Sequence, residues 1–314
     1  MTDVLYITGH GYSGSTLLTF LLDAHPQIAT IGELGIAEQA KSQTTPEQYL
    51  CSCHAPVREC EFWQRVSREM KERGHEFDVW DSDLDFRAKG GGISGVISDV
   101  ILRAVQRGPI LETARSIGVR VVPGARRELA RILSRIESLA EVVTGIKGSR
   151  IFLDSSKRPE RAVFMRRIPS FDMRVLHLVR DGRAVTWSNM KNLGIGVEAA
   201  ADSWVADNRA AEQARRYFPK DRWMTLRYED LCADPAGTLS RIYTFAGLPP
   251  GIPGSGVPEF REGEHHVIGN RMRLSSTSEI RIDDRWKTAL EPGQMAVAES
   301  RVGELNRSYG YGSL

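Results

Sequence analysis

The tightest constraint on the fold sits at the start of the chain. Four apolar residues, Val4-Leu5-Tyr6-Ile7, lead into Gly9-His10-Gly11-Tyr12-Ser13-Gly14-Ser15-Thr16. A second apolar run, Leu17-Leu18-Thr19-Phe20-Leu21-Leu22, then continues to the stop at His25-Pro26. A short apolar run suits a strand buried on both faces, and a longer one ended by proline suits a helix. A glycine-rich loop between them aims backbone N–H groups and a helix N-terminus at one spot, which favours an anion. The loop nearly fits the pattern G-x-x-x-x-G-K-[ST]. Gly9, Gly14 and Thr16 are in register, but Ser15 stands where the lysine belongs. Such a loop can wrap a phosphate while lacking the cation that reaches the terminal phosphates of a nucleoside triphosphate. On this motif alone, a plain glycine turn and a kinase with an altered loop stay open.

The same rhythm returns after residue 150. Strands are expected at Ile151–Leu153, Met173–Val179 and Trp223–Leu226. Helices are expected at Arg158–Arg167, Arg183–Lys191, 198–217 and Asp234–Phe245, the last with Asp234 as N-cap and Pro235 at the first position. Alternating strands and helices imply an α/β fold, a P-loop-like parallel sheet flanked by helices, with ligands at the carboxyl ends of the strands. Between the two stretches, 57–73 places Phe62, Trp63, Val66 and Met70 on one helical face, closed by Gly74. Residues 125–143 repeat that pattern with Leu129, Ile132, Leu133, Ile136, Leu139, Ala140 and Val143. Gly90, Gly91, Gly92 and Gly95 make 89–98 read as a mobile loop. Trp204 and Asn208 share a helix face and read as packing residues.

Composition narrows the classes. Hydrophobic residues at 41% and charged residues at 26% exclude a disordered or fibrous chain. A net charge of +2, from 42 basic and 40 acidic residues, gives no case for a nucleic-acid or membrane-surface binder. No apolar run is long enough to span a membrane, and the N-terminus lacks the basic and apolar regions of a signal peptide. With four cysteines in 314 residues, the expectation is a cytoplasmic protein with reduced thiols.

Two segments then carry a resemblance. Tyr12-Ser13-Gly14-Ser15-Thr16-Leu17 resembles the 5′-phosphosulfate loop of sulfotransferases that use 3′-phosphoadenosine-5′-phosphosulfate (PAPS). Leu178-Val179-Arg180-Asp181-Gly182-Arg183-Ala184-Val185-Thr186-Trp187-Ser188 resembles their 3′-phosphate motif, an arginine leaving a strand and a serine eight residues on. An arginine there offers a bidentate fork to a phosphate, and the serine adds a hydroxyl donor. Leu21-Leu22-Asp23-Ala24-His25-Pro26 with Gly32-Glu33 resembles protein-tyrosine sulfotransferases and their bacterial relatives. Asp154-Ser155-Ser156-Lys157 resembles a segment of the bacterial enzymes, and Arg227-Tyr228-Glu229-Asp230-Leu231 a strand near the adenine. Gly269-Asn270-Arg271-Met272-Arg273 through Arg285-Trp286-Lys287 resembles the segment that closes over the cofactor.

The resemblance implies one sulfotransferase domain over 1–314, in which the weakly matching 40–145 is a mostly helical, acceptor-binding insertion. It implies PAPS as co-substrate, no required metal, and a hydroxyl-bearing acceptor whose identity stays open, as does the choice between monomer and homodimer. Gly11, Tyr12, Ser13, Gly14, Ser15, Thr16 and Leu17 would hold the phosphosulfate, Arg180 and Ser188 the 3′-phosphate, and Tyr228 the adenine. Transfer needs an aligned acceptor, a base and stabilisation of the moving group. Glu33 matches the family's base, with His10 and Asp154 in reserve; a helix cap starting at Leu34 is its bland alternative. Lys157 would supply the cation near the sulfate. The family usually carries a basic residue where this chain has Tyr12, so Lys157 or Arg273 must substitute, or the chain binds nucleotide without transferring. Cys51, Cys53, His54 and Cys60 offer zinc-type ligands in the unfamiliar spacing C-x-C-H-x5-C, with packed thiols as the preferred reading.

Overall fold

The structure, a computed structural model, describes residues 1–33, 41, 44–88, 91–103, 109–250, 265 and 280–312. Five strands, β1 (Thr2–Thr8), β2 (Ile28–Thr30), β3 (Ile151–Lys157), β4 (Phe171–Val179) and β5 (Trp223–Arg227), form one sheet in the order β2-β3-β1-β4-β5. Every pairing is parallel. β1 is central, and the chain leaves it first toward β2 and β3 and later toward β4 and β5. That reversal opens a crevice at the carboxyl end of β1, where ligands of open α/β sheets sit.

Helices cover both faces: α1 (Ser15–Asp23), α2 (Glu61–Glu72), α3 (Gly92–Leu102), α4 (Pro109–Val121), α5 (Pro123–Lys147), α6 (Pro159–Met165), α7 (Gly182–Leu193), α8 (Val197–Arg215), α9 (Tyr228–Ala233), α10 (Pro235–Phe245), α11 (Trp286–Ala289) and α12 (Pro292–Ser308). The two-residue period of β1 sorts the core. Val4 and Tyr6 pack with Phe152, Val175 and the apolar stripes of α2 and α5. Leu5 and Ile7 pack with Leu17 and Leu21 of α1 and with Leu239 and Ile242 of α10. Burial on both faces is why β1 reads as an unbroken apolar run. Among the described residues, no helix is long and apolar enough to cross a membrane.

Some elements differ from the sequence expectation or were not anticipated by it. Residues 89–98 were expected to be a loop, but Gly92–Leu102 is a helix. Its small residues Gly95 and Ser98 are buried, and a Cβ at Gly124 of α5 would lie 2.6 Å from Ser98 Oγ. Close helix packing through small residues therefore outweighs the low helix propensity of glycine. The β5 strand ends at Arg227, so Tyr228 opens α9 instead of continuing the strand. The long α12 carries no strong apolar period; it is fixed by Ala298, Val302 and Asn306, which are buried. Asn306 Oδ1 accepts from the Gly182 amide at 2.8 Å, and its Nδ2 donates to Asp181 at 3.0 Å. The expected N-cap at Asp234 is present, its carboxylate accepting from Gly237 N–H at 2.9 Å.

Gly9, at the exit of β1, has φ 145°, and a Cβ there would lie 2.3 Å from the Leu178 carbonyl oxygen in the neighbouring strand. We expect Gly9→Ala to lower stability by about 1–3 kcal/mol, read as a reduced urea midpoint at unchanged slope.

Candidate active site

The carboxyl edge of the sheet gathers the chemistry. The β1–β3 ladder slips register between Tyr6 and Thr8, so that Thr8 faces Lys157. Lys157 takes a left-handed backbone conformation, φ 67°. Its carbonyl accepts from the Thr8 hydroxyl at 2.6 Å and from the Gly9 amide at 3.2 Å. A bulge of this kind re-aims a side chain. Here Lys157 Nζ donates to Glu33 Oε1 at 2.5 Å, with both side chains about one-fifth exposed. The two residues expected to be base and cation are thus one ion pair, anchored through its lysine to the first residue of the glycine loop.

The loop is built to leave donors pointing outward. Gly14 is the N-cap of α1 with φ 90° and offers no side-chain cap. The first intrahelical partner is found at Leu18, whose amide donates to Gly14 O at 3.0 Å. The amides of a helix's first turn face its N-terminal end. Ser13 Oγ is buried and has no hydrogen-bond partner among the described residues. A Cβ at Gly11 would meet nothing within 4 Å, whereas one at Gly14 would lie 2.3 Å from the Tyr228 ring. An orphaned buried hydroxyl beside a helix N-terminus and open space fits a phosphate-type anion. Ser15 and Leu17 are buried in the first turn, and Thr16 is partly exposed.

Arg180 leaves β4 nearly buried. Its Nη1 donates to the Tyr12 carbonyl at 3.0 Å and its Nη2 to the Asp283 carbonyl at 2.8 Å. The guanidinium lies 4.8 Å from the centre of the Tyr228 ring. Tyr228 in turn donates from its hydroxyl to Arg281 O at 3.1 Å. Ser188 sits buried on α7, its hydroxyl donating back to Ala184 O at 3.0 Å. Arg180 and Ser188 are held by separate contacts. Tyr12 itself has φ 61°, a left-handed residue whose carbonyl serves Arg180.

The reserve bases are otherwise occupied. His10 Nδ1 lies 2.6 Å from Asp207 Oδ2 and its Nε2 lies 2.9 Å from Asn189 Nδ2. An amide donor on Nε2 and a carboxylate on Nδ1 use both ring nitrogens. His10 is therefore a positioned loop residue. Asp154 is fully buried and faces Arg161 Nε at 3.5 Å. Burial pushes its carboxyl above the usual range, while Arg161 opposes the shift.

Sequence reasoning missed Asp207, Asn189 and Glu160. The first two sit on α8 and α7, and only helix packing brings them to His10. Glu160, three residues after Lys157, lines a cleft with Glu112 and Arg115 of α4 and with Phe164 and Tyr217. Burial pushes its carboxyl up to about 7. Arg273, expected at the cofactor, lies outside the described residues, as does the segment after Leu34 that would show a helix capped by Glu33. The expected group of Cys51, Cys53, His54 and Cys60 is corrected. His54 is exposed, and the imidazole beside the three thiols belongs to His265.

A family model described as "Sulfotransferase family" matches residues 5–251. The chain is similar to carbohydrate sulfotransferase 5 of Mus musculus, 26% identical over 177 residues, or 46% of this chain and 43% of that protein. It therefore spans less than half the length of that relative. Among solved structures, the sulfotransferase domain from the Synechococcus PCC 7002 olefin synthase superposes with TM-score 0.51 at 17% identity, covering 100% of this chain and 96% of that one. This likeness extends the parallel sheet and its flanking helices to a shared fold.

Two ion pairs at this edge should respond differently to substitution. Glu33–Lys157 is partly solvated, so Glu33→Gln and Lys157→Ala should each change stability by about 1 kcal/mol or less in chemical denaturation. Asp154→Ala strands the buried Arg161 and should cost about 3–5 kcal/mol in the same measurement.

Proposed function

The chain belongs to the sulfotransferase family, and from that premise we propose that it moves a sulfuryl group from PAPS to an acceptor hydroxyl by in-line displacement. The observation that carries the proposal is the attachment of the Glu33–Lys157 pair to the glycine loop through the Lys157 carbonyl. One short span thereby holds a base, a cation and an anion-binding loop.

Each residue then has a task. The loop from Gly11 to Leu17 receives the 5′-phosphosulfate on its amides and on the Ser13 hydroxyl. Lys157 has three N–H bonds; one rests on Glu33, and the others can serve sulfate oxygens or the bridging oxygen as charge builds there. Glu33 takes the acceptor's proton as the new oxygen–sulfur bond forms and the bond from sulfur to the bridging oxygen breaks. Adenosine 3′,5′-bisphosphate leaves. Lys157 takes over the task of the basic residue absent at Tyr12, whose carbonyl orients Arg180 instead. Arg180 and Ser188 hold the 3′-phosphate and Tyr228 borders the adenine, while Arg273 is the further cofactor contact that the resemblance implies. The transfer chemistry itself calls for no metal. A hydroxyl-bearing acceptor presents its oxygen to Glu33. Glu160 is placed within electrostatic reach of Asp207, the carboxylate that holds His10.

Two measurements test the proposal. Glu33→Gln should bind adenosine 3′,5′-bisphosphate as the unmutated chain does, yet transfer labelled sulfate from PAPS about a hundred- to ten-thousandfold more slowly. An unchanged transfer rate would move the base elsewhere, with Glu160 next. Arg180→Ala should weaken the bisphosphate by roughly ten- to a hundredfold in calorimetry and weaken AMP distinctly less. Equal binding of AMP and the bisphosphate by the unmutated chain would overturn the 3′-phosphate assignment.

A further inference from the structure

Among residues that the transfer does not use, three thiols and one imidazole converge. Cys53 Sγ and Cys60 Sγ are 3.6 Å apart, and His265 Nδ1 lies 3.2 Å from Cys60 Sγ and 3.9 Å from Cys51 Sγ. All four donor atoms lie within 4.8 Å of one another. We propose that Cys51, Cys53, Cys60 and His265 bind one Zn²⁺ in a closed, structural Cys3His site.

The separations, 3.2–3.9 Å for the three pairs above, bracket those of a tetrahedral zinc, and small side-chain shifts would close the rest. Zn–S bonds of about 2.3 Å and Zn–N bonds of about 2.0–2.1 Å put neighbouring ligand atoms roughly 3.6–3.8 Å apart. The backbone is shaped to present the ligands. An antiparallel bridge joins Leu50 to Pro56, the Cys51 amide donates to Ala55 O at 2.9 Å, and the Cys51 carbonyl accepts from the His54 amide at 2.9 Å. His54 takes φ 65° at the tip of this turn, so its ring faces solvent while Cys51 and Cys53 turn inward. Cys60 arrives from the other side as the N-cap of α2, a position that favours a thiolate.

The surroundings suit a closed site. Cys51 and Cys60 are buried, and the His265 ring stacks on Phe62 with centroids 4.6 Å apart and planes 2° from parallel. Nothing in the transfer reaction uses these residues. The four cysteines are free thiols. A Cys53–Cys60 disulfide would need its sulfurs near 2.05 Å and would account for neither Cys51 nor His265. Three soft thiolates and an imidazole disfavour magnesium and calcium and suit zinc. The metal would join a turn and a helix start to a residue 205 positions beyond Cys60. Because ligation forms only in the folded chain, its free energy is folding free energy.

The full chain, purified without added metal and without chelator, should carry about one zinc per molecule by plasma mass spectrometry. Cobalt(II) exchanged into it should give the intense absorption of tetrahedral thiolate ligation. His265→Ala should lower zinc affinity at least tenfold, His265→Cys should retain it, and His54→Ala should leave the stoichiometry unchanged. Cys60→Ser should lose the metal; if that variant does not fold, the stoichiometry of the unmutated chain and the two His265 variants still decide the matter. A chain that is zinc-free, takes up no cobalt and keeps its melting temperature in a strong chelator overturns the proposal. So does a Cys53–Cys60 disulfide in the unreduced protein, or a His54→Ala variant that loses the metal.

Discussion

The site depends on one carbonyl oxygen. Lys157 O accepts both the Thr8 hydroxyl and the Gly9 amide, and it can do so because Lys157 has left the extended conformation of β3. A left-handed conformation in a long-chain residue is uncommon and costs on the order of 1 kcal/mol or more. The two hydrogen bonds offset that cost, and they tie the last residue of β3 to the first glycine of the loop after β1. Loop and lysine cannot move independently. Glu33 is added to the same unit by its ion pair with Lys157, so the carboxyl ends of β1, β2 and β3 are coupled through a single residue.

A second unit lies on the other side of β1. The Tyr228 ring rests against Gly14 on one side and beneath the Arg180 guanidinium on the other. The absence of a Cβ at Gly14 is what lets the ring approach; alanine there would clash before its unfavourable φ mattered. Arg180 then reaches across to the Tyr12 carbonyl and stiffens the loop from outside. The glycine loop is thus held from both flanks, by Lys157 through its backbone and by Arg180 through its side chain. This follows from β1 being central in the sheet: its loop has a neighbour strand end on either hand.

How much of this was legible beforehand divides by range. β1, the glycine loop and α1 were legible because apolar run length and glycine placement are local properties, and so was the Asp234–Pro235 cap. Glu33 and Lys157 were singled out only through resemblance, and nothing in spacing shows that residues 124 positions apart form an ion pair. The helix at Gly92–Leu102 was misjudged because its stability comes from packing against α5 and not from its own residues. The cysteine group shows the limit most clearly. His54 is adjacent to Cys53 in sequence, yet the turn that gathers the sulfurs sends it outward, and the imidazole comes from His265.

Partner charge separates Arg180 from the buried Arg161 and Arg183 and is what makes the phosphate role proposed for it physically reasonable. Arg161 faces the Asp154 carboxylate, and Arg183 is bonded to the carboxylates of Asp181 at 2.7 Å and Glu299 at 3.0 Å. Both are neutralised where they stand and brace the fold. Arg180 instead donates to two neutral carbonyls, and the nearest carboxylate oxygen, on Asp283, is 3.8 Å away. That carboxylate is already engaged by Arg285 at 2.7 and 2.9 Å. A buried guanidinium bonded mainly to neutral acceptors keeps most of its field, and in a low-dielectric crevice that field acts on an incoming anion with little screening. The same residue type in three buried settings therefore does two different things, and the charge of its acceptors decides which.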